Sequence, residues 1–192
     1  NTNTTGGIGR VNCIAFHPTS GNTFWVGTPA GGLWKTTNGG STWTTSTDNL
    51  PVLGVSSIAI HPTTPNTMYI ATGDGDAATS LSAFGQPLAG DTKSIGLLKS
   101  TNGGTSWTNV LSAEQWEGVL MRKVLIDPAF PDYVYVASNL GVFQSTDAGV
   151  SWSLILAGYF IDLEFNPGNS DIVYAATFDA SGNAQVYTTV DF

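Results

Sequence analysis

The chain repeats itself, and this repetition limits its possible folds more than any other feature of the sequence. The seventh residue after each of four prolines is aromatic, the ninth is small and the tenth carries a hydroxyl group. The four copies align without a gap, which predicts a fold built from repeated units. The polar residue and proline that begin the copies are His17-Pro18, His61-Pro62, Asp127-Pro128 and Asn166-Pro167.

A second block recurs three times, at residues 32–43, 96–107 and 141–152. It reads GLWKTTNGGSTW, GLLKSTNGGTSW and GVFQSTDAGVSW. Short runs rich in aromatic and β-branched residues, separated by glycine-containing turns and lacking helical periodicity, indicate β-strands. Four short antiparallel strands in about 40–45 residues is the period of a β-propeller blade. A β-sandwich is the competing fold, but it does not require such strict internal copying.

We therefore predict one all-β domain over residues 1–192, a β-propeller of four-stranded antiparallel blades. Blade 1 spans about 9–50, blade 2 about 54–111 with an insertion at 73–94, blade 3 about 121–157, and a partial blade 4 about 160–192. The fourth copy reads VYTTVDF and stops inside the second block. We expect an incomplete part of a larger propeller, with further blades beyond residue 192. The alternative is a four-bladed ring closed by residues 1–8.

Charge and composition disfavour several classes of partner. The chain has 6 basic and 14 acidic residues and a net charge of −8, whereas nucleic acids and anionic membranes attract clustered Lys and Arg. No apolar run reaches the roughly 18 residues of a membrane helix, so membrane insertion is not expected. The single Cys13 excludes an internal disulfide and a cysteine-based metal cluster. Few charges with abundant Thr, Ser, Asn and Gly suit a secreted or cell-surface bacterial protein.

The second block resembles the Asp-box, also called the BNR repeat, whose pattern is S/T-x-D/N-x-G-x-S/T-W. It stands at residues 36–43, 100–107 and 145–152. The family places this motif in the hairpin between the third and fourth strands of a blade, and the chain is most similar to its sortilin and xyloglucanase-like group. The short polar side chain is expected to bind its own turn, and the Trp to pack between sheets. These structural residues are Asn38, Trp43, Asn102, Trp107, Asp147 and Trp152.

The second repeat departs from the template by a long insertion. The residue in the proline slot and the box Asn are 41 positions apart at 61 and 102, but 21 positions apart at 17 and 38. In a four-stranded blade this insertion lies on the same face as the connection to the next blade, here the long segment 111–121. Two atypical loops are therefore expected to adjoin on one rim, where binding tends to occur. The candidate ligand-binding residues are Asp74, Asp76, Asp91, Glu114, Trp116 and Glu117.

These loops predict a module that binds glycan or protein ligands, without a cofactor or metal. An exposed Trp116 beside carboxylates would suit a sugar, since the ring stacks on C–H groups while carboxylates accept hydroxyls. The alternative is a solvated loop with Trp116 and Phe84 tucked beneath it. Asp74 and Asp76 could hold Ca²⁺, but two carboxylates fall short of its roughly 6–8 oxygen ligands.

A glycoside hydrolase of the xyloglucanase-like type is the alternative function. Glycoside hydrolysis needs two carboxylates about 5–10 Å apart, and the loops offer carboxylates without a motif. The resemblance implies an acidic residue between the second strand and a Gly-Gly pair, where Pro29 stands here. A sialidase would need an arginine cluster, and the chain has only Arg10 and Arg122. The sequence therefore favours binding over catalysis.

Two other recurring positions are interpreted as structural. His17 and His61 fill a slot that Asp and Asn take in later repeats, so we interpret it as a turn position that needs a polar side chain. Lys35 and Lys99 share one strand column and are interpreted as solvated edge residues.

Overall fold

The structure, a computed structural model, describes residues 10–74, 93–112, 119–178 and 182–189. Within these residues the chain forms fifteen β-strands and no helix. The strands make four antiparallel sheets, and in each sheet neighbouring strands follow one another in the sequence. The predicted all-β architecture is therefore confirmed.

The four sheets have these bounds. The first contains β1 (Cys13–His17), β2 (Ser20–Gly27), β3 (Leu33–Thr36) and β4 (Thr44–Thr45). The second contains β5 (Val55–Ile60), β6 (Met68–Thr72), β7 (Gly96–Ser100) and β8 (Thr108–Ser112). The third contains β9 (Met121–Ile126), β10 (Val134–Ser138), β11 (Gly141–Ser145) and β12 (Ser153–Ala157). The fourth contains, in the described part of the chain, β13 (Phe160–Asn166), β14 (Asn169–Phe178) and β15 (Ala184–Thr189).

The polar slot before each repeat proline caps the turn between the first two strands. His61 Nδ1 accepts a hydrogen bond from the Thr64 N–H at 3.0 Å. Asp127 Oδ1 accepts from the Ala129 N–H at 2.7 Å. His, Asp and Asn can exchange here because each offers a short-range acceptor to an otherwise unpaired N–H. The same bond joins His17 to Thr19 at 3.2 Å and Asn166 to Gly168 at 2.9 Å.

Successive sheets pack face to face, and an apolar core fills each junction. The first strands β1, β5, β9 and β13 contact one another in that order. Trp25 and Met68 meet at the first junction, Tyr69 and Phe143 at the second, and Val142 with neighbours from the fourth sheet at the third. Each fully buried large apolar side chain contributes about 1.5–3 kcal/mol to folding. The stability of the chain therefore depends on contacts between neighbouring sheets.

Residues 36–43, 100–107 and 145–152 form three similar turns, which we call the repeat turns. In the third, Ser145 Oγ donates to Asp147 Oδ1 at 2.8 Å and accepts from the Gly149 N–H at 2.8 Å. Asp147 Oδ1 also accepts from the Ser151 N–H at 2.8 Å. The other two turns repeat these bonds around Asn38 and Asn102, with distances of 2.9–3.0 Å.

Lys35 and Lys99 are not solvated edge residues, and that interpretation was wrong. Lys35 Nζ donates to the Gly103 carbonyl at 3.2 Å and lies 4.9 Å from the centre of the Trp25 ring. Lys99 Nζ donates to the Ala148 carbonyl at 2.7 Å, beside the Tyr69 ring. Each lysine therefore bridges its own sheet to the repeat turn of the next sheet.

The tryptophans of the repeat turns do not all pack between sheets as expected. Trp107 packs against the core of the first junction and Trp152 against that of the second. Trp43 is 39% exposed, and its ring lies 5.3 Å from that of Phe24 in its own sheet. The difference arises because no other sheet of the described structure covers this face of the first sheet.

Candidate ligand-binding rim

One end of the four sheets carries the loops that join second to third strands and the connections between sheets; we call this end the rim. Backbone hydrogen bonds join these two kinds of segment along the rim. The Val55 N–H donates to the Thr28 carbonyl at 2.9 Å, and the Gly73 N–H to the Gly54 carbonyl at 2.8 Å. Further along, the Gly158 N–H donates to the Leu140 carbonyl at 3.1 Å. The rim is therefore a hydrogen-bonded frame from which loops of any length can project.

The frame is tightest where the first two sheets meet. A Cβ atom on Gly54 would lie 2.8 Å from the carbonyl oxygens of both Gly73 and Pro29, closer than real Cβ contacts allow. Glycine is thus required for this close backbone approach.

The two atypical loops of the second repeat are anchored side by side. Ser94 ends the insertion and Val119 lies near the end of the long connection, and the Ser94 N–H donates to the Val119 carbonyl at 3.2 Å. Ser94 Oγ lies 3.0 Å from the buried Thr72 Oγ1, which also donates to the Gly96 carbonyl at 2.6 Å. The expected meeting of the two loops at one rim agrees with the position of their anchors.

Asp74 is the one predicted binding residue that lies within the described residues. It lies two residues after the end of β6, is only 4% exposed, and its carboxylate pairs with the Arg10 guanidinium. Arg10 Nε also donates to Asn12 Oδ1 at 3.0 Å, and Asn12 Nδ2 donates to the Val55 carbonyl at 3.2 Å. Asp74 thus fixes the segment before β1 onto the base of the insertion. The other predicted residues, Asp76, Asp91, Glu114, Trp116 and Glu117, lie outside the described residues.

A second group of charges, which the sequence analysis did not single out, joins the first strands of the third and fourth sheets. Lys123 Nζ lies 2.6 Å from Glu164 Oε1 and 3.2 Å from Asp162 Oδ1. Burial would lower the pKa of Lys123, but the Glu164 hydrogen bond and the charges of both carboxylates outweigh it, so the pKa is raised. Arg122, one residue earlier, donates to the Tyr159 hydroxyl at 2.6 Å and lies over its ring.

A cavity of about 260 Å³ lies between the first two sheets, beside the second repeat turn. Trp25, Leu33 and Lys35 line one side, and residues 103–105 line the other. Ser46 Oγ and Lys35 Nζ bridge it to the Gly104 and Gly103 carbonyls. The Trp25 indole N–H is buried there and has no hydrogen-bond partner. The cavity is a loosely packed part of the junction between these two sheets.

The remaining reactive groups offer little chemistry. Burial raises the pKa of the Cys13 thiol to about 12, so it stays protonated at neutral pH. In the part of the chain that the structure describes, no cluster of His, Cys, Asp or Glu side chains could hold a metal ion. No helix among the same residues is long and apolar enough to span a membrane.

No protein-family model matches the chain, and no curated protein matches it. The chain is, however, similar to several solved structures. An ancestral GH74 enzyme is 26% identical, with a TM-score of 0.73 over 94% of this chain and 24% of its own. The GH74 enzyme of Niastella koreensis is 20% identical, with a TM-score of 0.68 over 97% of this chain and 29% of its own.

A different protein, YCF48, has the same fold. YCF48 from Cyanidioschyzon merolae is 15% identical, with a TM-score of 0.62 over 93% of this chain and 53% of its own. YCF48 bound to a D1 peptide is 17% identical, with a TM-score of 0.59 over 93% of this chain and 51% of its own. The chain thus spans about a quarter of the GH74 enzymes and about half of YCF48. These similarities confirm the predicted β-propeller architecture.

Proposed function

We propose that this chain is part of a secreted or cell-surface β-propeller that binds a glycan or protein ligand through its rim. The observation that carries the proposal is the hydrogen bond from Ser94 to Val119, which anchors the two longest departures from the repeat beside each other. Stiff sheets that hold two long loops together favour recognition, since the frame limits the entropy lost on binding.

We further infer that the repeat turns are Asp-boxes with a structural role. The shared hydrogen bonds around Asn38, Asn102 and Asp147 support this assignment. All three side chains are engaged within their own turns, at the end of the sheets opposite the rim. Ligand binding is therefore assigned to the insertion and the long connection, and the turns to the scaffold.

The similar structures are compatible with either ligand class. YCF48 has been solved with a bound peptide, and GH74 proteins are enzymes. In sequence, the long connection combines polar and aromatic groups, with Trp116 close to Glu114 and Glu117. A ring flanked by carboxylates can stack on a sugar or on an apolar peptide side chain.

The test is a screen of the 192-residue chain on plant, bacterial and host glycans and on immobilised peptides. We expect saturable binding to one class, with the loop variant Trp116→Ala weakened and the scaffold variant Asn102→Ala unchanged in affinity. Binding that both variants lose equally, or no binding to any member of the screen, would contradict the proposal.

Hydrolysis is the second candidate function because the ancestral GH74 enzyme is 26% identical over 94% of this chain. Two residues argue against it. Pro29 stands where the resemblance implies an acidic residue, and Asp74 is buried in an ion pair with Arg10. Release of reducing sugar from xyloglucan, lost in Asp91→Asn or Glu114→Gln, would overturn the binding proposal in favour of an enzyme.

A further inference from the structure

The first sheet has an apolar face that no other described part of the chain covers; we call it the free face. Its most exposed residues are Phe16 at 61% and Ile14 at 56%, with Trp43 at 39% and Trp34 at 37%. Single exposed apolar residues are ordinary on a protein surface, whereas a contiguous face of them marks an interaction site.

The second sheet has the same face, and there it is buried. Ile14 pairs with Val26 and Phe16 with Phe24, just as Ile58 pairs with Ile70 and Ile60 with Met68. In the second sheet Met68 and Ile70 are 0% exposed, and Leu98, in the column of Trp34, is 3% exposed. These residues are buried because the first sheet lies against them. The free face therefore has the same apolar columns that form a blade interface in the second sheet, and no described part of the chain covers them.

The first two internal junctions define the chemistry of that partner. The covering sheet supplies an aromatic side chain from its second strand and an aliphatic one from its third. Trp25 and Leu33 do so at the first junction, and Tyr69 and Leu97 at the second. The covering sheet also donates to one carbonyl of the repeat turn, as the Tyr69 hydroxyl does to Ala148 at 2.7 Å.

The fourth sheet carries these covering groups on its outer side. Tyr174 pairs with Thr188 in the register that pairs Tyr69 with Lys99. Val186 pairs with Ala176 as Leu97 pairs with Ala71. Tyr174 is 37% exposed and Val186 is 67% exposed.

We propose that the fourth sheet of a second copy of this 192-residue chain docks on the free face of the first. Tyr174 and Val186 then occupy the positions of Tyr69 and Leu97, and the Tyr174 hydroxyl donates to the Gly39 carbonyl. Such a contact joins two different surfaces, so it is heterologous and repeats from copy to copy. Two copies bring eight sheets together, which is within the usual range of about 4–8 blades, and the contact closes into a dimeric ring.

The test is sedimentation equilibrium of the intact chain over a wide range of concentration. We expect a shift from 20.1 kDa to twice that mass. Phe16→Lys and Val186→Lys should each abolish the shift because each places a charge in one half of the interface. Val150→Lys is the matched control, since Val150 is 83% exposed on the third repeat turn and belongs to neither face. Circular dichroism confirms that each variant is folded.

Mixing the two lysine variants distinguishes a contact between two different faces from a contact between two identical faces. Each variant keeps the half of the interface that the other lacks, so a one-to-one mixture should regain a dimer through one intact junction. A single 20.1 kDa species at every concentration would overturn the proposal. A dimer that neither substitution weakens, or a mixture that stays monomeric, would also overturn it.

Discussion

At the scale of the residue, Asp147 shows how one side chain holds a repeat turn. The Ser151 hydroxyl and N–H donate to its carboxylate, as does the Ser145 hydroxyl, and these bonds lower its pKa from 3.8 to about 2. Asn38 and Asn102 hold the equivalent turns through the same backbone N–H groups without a charge. The turn therefore requires an acceptor oxygen, and the carboxylate adds a dependence on pH.

The first prediction concerns this turn. Asp147→Ala should lower the melting temperature at pH 7, because two backbone N–H groups lose their acceptor, whereas Asp147→Asn should retain most of the stability. The pKa of Asp147 is lower in the folded state, so its charge stabilises the fold above about pH 4 and that contribution is lost as the pH falls towards 2. Urea unfolding at several pH values measures both effects.

The control for this prediction is Asn102→Ala, which removes the acceptor of an uncharged turn. The difference in the free energy of unfolding between Asn102→Ala and the wild-type protein should stay the same between pH 5 and pH 2. The role assigned to the carboxylate would be contradicted if the free energies of unfolding of the wild-type protein and Asp147→Asn differed by a constant amount over the same pH range.

At the scale of the element, the repeat turn of one sheet is also a contact with the sheet before it. Trp152 packs against the core between the second and third sheets, and Lys99 and Tyr69 of the second sheet both donate to Ala148 of that turn. Trp43, in the first turn, lies beside Phe24 of its own sheet, and its indole N–H donates to the Gly40 carbonyl of its own turn. The same motif thus contributes differently to stability according to its neighbour.

The second prediction compares these two tryptophans. Trp152→Ala should lower the free energy of unfolding by about 3 kcal/mol, because it removes a large ring from a sheet junction. Trp43→Ala should cost about 1 kcal/mol or less in the monomer, where the ring is partly exposed. Urea unfolding of both variants at low protein concentration is the measurement. Equal losses would show that the turns are stabilised locally and not by the neighbouring sheet.

Strand positions and turns could be predicted from the sequence because each depends on residues close along the chain. The repeat turns close through side chains two to four positions apart, such as Asp147 and Ser151. The lysine bridges could not be predicted this way, because Lys35 and Gly103 are 68 residues apart. The pairing of Arg10 with Asp74 spans 64 residues and was missed for the same reason. Contacts between sheets depend on which columns face each other, and the spacing within one repeat does not contain that information.

At the scale of the whole molecule, four sheets of similar construction form a frame, and their differences are gathered in the rim loops. The frame repeats its first-strand contacts, its turn contacts and its rim hydrogen bonds from sheet to sheet. The insertion and the long connection of the second repeat break this regularity at one place, with Ser94 and Val119 bonded at their bases. Ligand specificity is expected at this break, and stability in the repeated contacts.

The most direct test of the rim proposal is calorimetric titration of Trp116→Ala with the tightest ligand from the screen, combined with its melting temperature. Trp116 lies outside the described residues, in the long connection 111–121. We predict that its loss weakens binding about tenfold or more and leaves the melting temperature nearly unchanged. A clear fall in melting temperature with unaltered affinity would make Trp116 a core residue and contradict the proposed binding rim.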